Sequence, residues 1–374
     1  MEKLKSSGRI NNRRSNIELA RILMMLVIVR HHFACYSGLS FADKPFGLNK
    51  MWFMFIRNNG KITVIVLLLI TGYFLINSTK IKIDKLLKLW LQIFTYSVLV
   101  YLVLCLVGGA KFGVKAFVSS LFPITTDQWW YASTYIFLYI TSPFINKFLT
   151  GLDKKSYQKF LVIMTFFWSI LPTVYTSTFF VNKFVFFIYL YFIGAYLRLH
   201  FDMTKISSGK AFFIAGSIYA VVYAISLTMN YMGKYIPALS GERRALTLIE
   251  YQKIFTLTIA VFLFIGFMNL KIKNNRIINT ISSASFAVYL IHDQQNMKEF
   301  LWNTVFKPVN HADSKLFILY TIGVVLLIYS VCTGIELLRI NFVEKQYMDF
   351  LKKFSVRIEE KIDRFYNSKI FDKF

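Results

Sequence analysis

The sequence is poor in cysteine, histidine and acidic residues. Its 374 residues include three cysteines, five histidines and 19 acidic residues, against 44 lysines and arginines. Cys35, Cys105 and Cys332 are odd in number and lack metal-ligand spacing, so neither a disulfide framework nor a zinc site is predicted. A P-loop, a GxSxG, an HExxH and a dinucleotide fingerprint are also lacking, which leaves ATP coupling, metal-dependent hydrolysis and redox chemistry unsupported.

Hydrophobic residues dominate instead. They make up 56% of the chain, 18% is aromatic, and the mean hydropathy is +0.50. Soluble domains rarely reach such values, because they need a polar shell around the core. Apolar runs recur along nearly the whole length, which predicts an all-α, polytopic membrane bundle rather than a soluble domain with one anchor.

A net charge of +25 raises the question of nucleic-acid binding. The lysines and arginines are not gathered into one basic domain, however. They fall in short gaps between apolar runs, where anionic lipid and the positive-inside rule account for them. We therefore expect membrane lipids and no nucleic acid as partners.

About ten segments have the ~18–23 residues needed to cross a bilayer core of ~30 Å. They cover approximately 17–37, 58–77, 86–108, 129–149, 159–177, 180–199, 211–231, 252–270, 277–297 and 315–338. The ninth has the shortest apolar stretch, because it begins after the polar TISSAS, and a re-entrant course is the alternative there. The first is interpreted as a membrane helix, not a cleavable signal peptide, because RHHFACYSG is a poor cleavage site.

The distribution of charge predicts the orientation. With the N-terminus inside, INNRRSN, STKIKIDKLLK, KKSYQK, KIKNNR and the tail hold about twice the Lys and Arg of the outer segments, as the positive-inside rule requires. An even number of spans then places both termini in the cytoplasm. The domain organisation is a basic N-terminal segment (1–16), a transmembrane domain (17–340) and a basic tail (341–374) that is predicted to form an amphipathic interfacial helix.

The first span, ELARILMMLVIVRHHFACYSG, carries five ionisable residues. Arg21 and His32 are eleven residues apart, so they differ by only ~20° around an α-helix and lie about 16 Å apart along its axis. Glu18 lies three residues before Arg21, close enough for an ion pair. His31 projects ~100° from His32. Arg30 points away from Arg21, toward the outer interface.

Two interpretations of these charges compete. All five could be interfacial residues at the helix ends, and for Glu18 and Arg30 we favour that interpretation. A basic pair on one face inside a span is costly, however, and intramembrane ionisable residues usually line a site. Arg21 and His32 are therefore the candidate site residues, and histidine suits proton exchange near neutral pH.

Arg21, ten residues and His32 resemble the R-x10-H signature of the membrane acyltransferase-3 family, whose members O-acylate cell-surface carbohydrates and some other acceptors. Further motifs are similar and follow in the family's order: a small-Gly-aromatic turn in LLLITGYFLI, a Trp-Tyr pattern in WWYASTYIFLYITSPFIN, FIGAYLR, and a late SASFAVYLIHDQQ. The matching residues are Thr71, Gly72, Tyr73, Phe74, Trp130, Tyr131, Tyr139, Pro143, Asn146, 192–198, Tyr289 and His292. The resemblance extends to about residue 340.

The resemblance implies a bacterial cell-membrane enzyme with a cytoplasmic acyl-CoA donor, expected to be acetyl-CoA, and no metal. The acceptor would be a hydroxyl of an extracytoplasmic polysaccharide, such as capsule or exopolysaccharide, or of its lipid-linked precursor. His32 would act as the general base, or alternatively as a covalent acyl relay. Arg21 would bind the donor or polarise its thioester. Many members carry arginines where this chain has Lys80 and Lys82, which become the candidates for holding donor phosphates.

Other residues are candidates for contact with the acceptor. Trp130, Tyr131, Tyr289 and His292 would bind substrate, whereas the alternatives are an aromatic membrane belt and a helix-end histidine bonded to a carbonyl. For Lys80, Lys82 and Lys85 the alternative to binding donor phosphates is that they are cytoplasmic charges that set the orientation of the chain in the membrane. The charges at 242–244 are interpreted as solvated loop charge, with acceptor contact as the alternative.

Two other functions share the multi-span, basic-loop pattern. A polysaccharide flippase or exporter would use paired cations to bind an anionic lipid-linked sugar, but inverted repeats and matched broken helices are not visible in the sequence. A polysaccharide polymerase would need an activated lipid-linked sugar rather than acyl-CoA.

Overall fold

The computed structural model describes residues 13–42, 44–175, 182–236 and 247–366. The predictions for 1–12, 242–244 and 367–374 lie outside these residues. Within them every regular element is helical and none is a strand, which confirms the all-α prediction. The α-helices are α1 Ser15–Tyr36, α2 Leu48–Asn58, α3 Gly60–Leu75, α4 Ile83–Leu106, α5 Val114–Leu121, α6 Trp130–Thr150, α7 Lys154–Thr165, α8 Leu171–Val174, α9 Lys183–Leu199, α10 Ser208–Met232, α11 Ile254–Asn269, α12 Arg276–Ser283, α13 Ser285–His292, α14 Gln295–Glu299, α15 Phe317–Leu338 and α16 Lys345–Tyr366.

Short π and 3₁₀ turns join several of these helices. π turns lie at Phe166–Ile170, Phe300–Phe306 and Arg339–Glu344, and 3₁₀ turns at Met203–Lys205, Thr247–Ile249 and Pro308–His311. In the described part of the chain, six helical runs are long and apolar enough to cross a membrane, and α11 is apolar but shorter. The six are Ser15–Tyr36, Leu48–Leu75, Ile83–Leu106, Lys154–Val174, Ser208–Met232 and Phe317–Lys361. The chain is thus a multi-pass membrane protein.

The ninth predicted span, 277–297, is divided into two short helices, neither of which is among the helical runs long enough to cross a membrane. α12 and α13 meet at Ala284, and α13 ends at His292. Two serines of the TISSAS run bond to residues of other helices. Ser282 donates to a Glu18 carboxylate oxygen (2.5 Å), and Ser285 contacts the Tyr329 hydroxyl (3.3 Å). Such side chains compete with helical backbone bonding, so a break occurs where the sequence is most polar.

α3 lies at the centre of the bundle and crosses α9 at two glycines. A Cβ on Gly72 would lie 2.4 Å from the Tyr191 carbonyl oxygen, and one on Gly194 would lie 2.5 Å from that of Leu69. Only glycine permits backbones to approach this closely. Two of the motifs found in the sequence, LLLITGYFLI and FIGAYLR, therefore form one helix crossing.

Asn146 of α6 ties the end of α3 to α9. Its side-chain amide donates to the carbonyls of Leu75 (2.9 Å) and Ser78 (2.8 Å), and its side-chain oxygen accepts from the Tyr191 hydroxyl (2.6 Å). These bonds satisfy carbonyls that the end of α3 leaves free. They fix the loop that leads into the basic start of α4.

The C-terminal helix α16 forms as predicted and packs on α4. Arg339 bonds Glu336 through Nε (2.7 Å) and Nη2 (2.8 Å), and also bonds Glu344 (2.7 Å). Glu344 in turn pairs with Lys88 of α4. A buried network of this kind holds the end of α15 against α4, and it lies directly behind one wall of the site described next.

Candidate active site

A cavity of about 410 Å³ lies among α1, α3, α4, α6, α12 and α13, and Arg21 and His32 both line it. Their shared helix face, predicted from the spacing of eleven, thus faces an internal space rather than lipid. We call this space the histidine cavity. Polar and aromatic groups from five other segments complete it: Gln92, Trp130, Tyr131, Tyr135, Tyr251, Ser282, Ser283, Ser285 and Tyr289.

A second cavity of about 420 Å³ adjoins the first at Arg21. Lys85 and Lys88, on the first turns of α4, line it together with Tyr139. We call it the lysine cavity. Both cavities share six wall residues: Arg21, Ile70, Thr71, Leu89, Gln92 and Tyr135. Arg21 therefore stands where the two spaces meet.

Arg21 is held in place by Glu18. The Arg21 guanidinium donates to Glu18 Oε1 at 3.0 Å, which confirms the predicted ion pair. Glu18 is 5% exposed and accepts from Ser282 through its other oxygen, so its assignment as an interfacial residue was wrong. A buried carboxylate with two donors is a fixed negative partner for the arginine, and the Arg21 side chain remains 37% exposed to the cavity.

His32 is bonded to a second, deeper histidine. His32 Nδ1 lies 2.9 Å from Nε2 of His292 and 3.4 Å from Oδ1 of Asp293. His292 Nδ1 contacts the Val288 carbonyl oxygen at 2.5 Å, as the alternative interpretation of His292, a histidine bonded to a carbonyl, predicted. His292 is fully buried and stands behind His32, outside the lining of the cavity. The Nδ1 side of His32 is thus occupied by protein groups.

His31 also lines the histidine cavity, although it projects from another side of α1. It packs against Gly60, where a Cβ would lie 2.3 Å from His31 Cγ. The Cys35 thiol lies 3.5 Å from its Nε2. Unlike His32, His31 has no contact with His292 or Asp293 among the described ring and hydrogen-bond contacts.

Aromatic rings form the wall of the histidine cavity near His32. The rings of Trp130 and Tyr131 meet edge to face at 6.0 Å, and Tyr131 meets Tyr289 at 6.1 Å. Tyr251 and Tyr36 also belong to the lining. Three of the four predicted substrate-binding residues, Trp130, Tyr131 and Tyr289, are thus brought together. Rings and hydroxyls of this kind suit a sugar, which offers apolar faces and hydroxyl edges.

Lys80 and Lys82 do not line either cavity. Both are exposed, and the Lys82 backbone is bound to the Tyr139 hydroxyl (3.3 Å). Their role in donor binding stays a prediction. Arg30 lies outside both cavities, and its guanidinium carbon lies 4.9 Å from the Phe55 ring centre and 5.9 Å from that of Trp52. Its place at the outer interface stays a prediction.

Sequence reasoning missed several wall residues. Tyr135 lies four residues after Tyr131, so helical spacing placed it on the same face. Gln92 and Lys88 carried no motif, because their position depends on the network behind α4 in which Gln92 donates to Glu336 (2.8 Å). Asp293 directly follows His292 in the late motif. Among the described residues, no group of three or more His, Cys, Asp or Glu side chains is placed to hold a metal.

The helices and the two adjoining cavities define an integral-membrane protein with a polar internal site that carries a histidine and an arginine. The sequence profile of an acyltransferase domain matches residues 14–337. The chain therefore belongs to the membrane acyltransferase-3 family and is an acyltransferase. No curated protein and no solved structure matches it.

Proposed function

We propose that the protein transfers an acyl group, in the simplest case acetyl, from cytoplasmic acyl-CoA to a hydroxyl of an extracytoplasmic bacterial polysaccharide or its lipid-linked precursor. The observation that carries this proposal is that the two cavities adjoin, with Arg21 in the wall of both. A donor with phosphates suits one end of this space, which has lysines, and a sugar suits the other, which has aromatic rings and a histidine.

The proposed topology has ten crossings with both termini in the cytoplasm. Hydrogen bonds support this topology because they join helix ends that the charge pattern assigns to the cytoplasmic side. Ser15 bonds Asn279 (2.9 Å), and Asn269 bonds the Met203 carbonyl (2.7 Å). Lys85 and Lys88 then lie toward the cytoplasm, and His32 lies toward the outer leaflet.

The donor would enter the lysine cavity with its phosphates near Lys85 and Lys88. Its pantetheine arm would pass Arg21, since three helical turns, or about 16 Å, separate Arg21 from His32. Arg21 is placed to polarise the thioester carbonyl and to stabilise the oxyanion that forms during attack. Glu18 holds its guanidinium in position for this role.

His32 would act as the general base. Its Nε2 takes the proton of the sugar hydroxyl, the hydroxyl oxygen attacks the thioester carbon, and the C–S bond breaks as the tetrahedral intermediate collapses. The thiolate of CoA then takes that proton from His32 Nε2, which regenerates the base and leaves an O-acyl sugar and free CoA. In the alternative, His32 attacks first and passes the acyl group on as acyl-imidazole.

The first experiment compares surface polysaccharide from a strain with this gene and a strain without it, by mass spectrometry. We expect loss of O-acyl groups with chain length and export unchanged. Normal O-acylation in the deletion strain would overturn the proposal, and shortened or unexported chains would favour the polymerase or the flippase instead. In the purified protein, His32→Ala should lower kcat by about 10²–10⁴-fold, with His311→Ala, a histidine away from both cavities, as the matched control.

A further inference from the structure

We propose that His292 is a positioning residue that fixes the tautomer of His32. This inference rests on the proposed function of His32 as the base. A histidine acts as a base only through an unprotonated ring nitrogen that the substrate can reach, and the hydrogen bond on the other nitrogen decides which one that is. The structure supplies such a bond to His32 from the interior of the bundle.

The order of donors and acceptors along the chain of contacts determines the tautomers. The Val288 carbonyl can only accept, so His292 Nδ1, at 2.5 Å from it, carries a proton. His292 is fully buried, where a neutral ring is favoured over a charged one, so its Nε2 has a lone pair. At 2.9 Å, that lone pair accepts from His32 Nδ1, which must then be the protonated nitrogen. His32 Nε2 is left unprotonated for the substrate.

The surrounding charges favour the same arrangement after proton transfer. When His32 Nε2 takes a proton, the ring becomes an imidazolium that still donates from Nδ1. Asp293 Oδ1 lies 3.4 Å from that nitrogen and offers a negative charge. Lys298 pairs with the same oxygen at 3.1 Å and lies over the Tyr36 ring. The Asp293 carboxylate therefore has a cationic partner before His32 takes up the proton.

The burial of His292 distinguishes a positioning role from direct contact with the substrate. His292 is 0% exposed, and His32 stands between it and the cavity. The substrate-binding role predicted for His292 would require access that the ring lacks. A residue that acts only through His32 should alter kcat and leave the KM values for donor and acceptor nearly unchanged.

The test compares two substitutions of His292 in the full-length protein in bilayers. His292→Leu removes the acceptor but fills most of the space, so we expect kcat to fall about 100-fold with little change in KM, the upper end of what loss of a group that orients a histidine costs. His292→Gln places an amide oxygen near the former Nε2 and should restore kcat to within about tenfold of wild type. Wild-type kcat in the leucine variant, or no recovery with glutamine in a protein that folds normally, would overturn the inference.

A spectroscopic measurement tests the tautomer without a variant of His292. In protein with ¹⁵N-labelled histidine, the His32 signals are identified by their loss in His32→Ala. We expect a protonated Nδ1 and an unprotonated Nε2 in the wild type, and a mixture of tautomers in His292→Leu. A protonated Nε2 in the wild type would contradict the inference. Full activity of His32→Ala would instead contradict the proposed function, so the two failures are distinguishable.

Discussion

The histidine cavity and the lysine cavity are similar in volume but differ in how their polar groups are held. In the histidine cavity, His32 is bonded to buried His292, and Arg21 to buried Glu18. In the lysine cavity, Lys85 is exposed and Lys88 is 40% exposed. The first space is preorganised by the core, whereas the lysines of the second have exposed side chains, of which Lys88 pairs with Glu344.

This difference separates chemistry from binding. Preorganised donors and bases stabilise a transition state because they do not need to reorganise during the reaction. Exposed lysines attract phosphates as point charges, and salt screens them. Substitutions in the histidine cavity should therefore lower kcat, and substitutions in the lysine cavity should raise the KM for acyl-CoA.

The largest effect is expected for His32→Ala. Loss of a general base typically costs about 10²–10⁴-fold in rate, so we expect kcat to fall by that amount, with the KM for acyl-CoA nearly unchanged. Steady-state transfer to purified glycan measures both. A raised KM with normal kcat would place His32 among the binding groups and would remove the distinction between the cavities.

Arg21→Ala should have the next largest effect. Removing a donor that stabilises a developing oxyanion costs about 10²–10³-fold in kcat. Because Arg21 lines both cavities, we also expect a raised KM for the donor. Arg30→Ala, whose side chain packs on Phe55 outside both cavities, is the matched control and should keep the wild-type KM. Equal losses in both variants would show that the effect is structural.

Lys85→Ala combined with Lys88→Ala should weaken donor binding, and Lys85→Ala alone is measured beside it because Lys88 also pairs with Glu344. We expect the KM for acyl-CoA to rise about 10-fold, with kcat within a factor of about two, since exposed charges contribute modestly. The rise should shrink at high salt. Lys154→Ala with Lys155→Ala, also on the predicted cytoplasmic side, controls for charge. A loss of kcat without a change in KM would contradict the assignment of the lysine cavity to the donor.

The smallest effect is expected for His31→Gln. His31 shares the cavity with His32 but has no contact with His292 or Asp293 among the described contacts. We expect less than about a tenfold loss in kcat, below the range of a general base. If His31→Gln loses as much activity as His32→Ala, then neighbouring position in the cavity matters more than the contact with His292.

The helices and the central pair of site residues followed from local rules in the sequence. Apolar runs predicted most spans, and the spacing of eleven predicted that Arg21 and His32 share a face. The break at Ala284 and the burial of Glu18 did not follow, because both depend on Ser282 meeting Glu18 from 264 residues away. Gln92 and Lys88 were likewise missed, since contacts with α15 and the turn after it position them. Hydrophobic periodicity predicts the faces of a single helix, whereas the walls of a cavity depend on how several helices pack together.

The most direct test of the account is transfer across a sealed bilayer. Acyl-CoA, which does not cross membranes, is supplied to sealed proteoliposomes on the face where Lys85 and Lys88 lie, and the glycan acceptor only on the other face. The account predicts that label from the acyl group appears on the glycan, and that His32→Ala prevents this. Transfer that occurs only when donor and acceptor share one face would contradict a continuous path from the lysine cavity past Arg21 to His32.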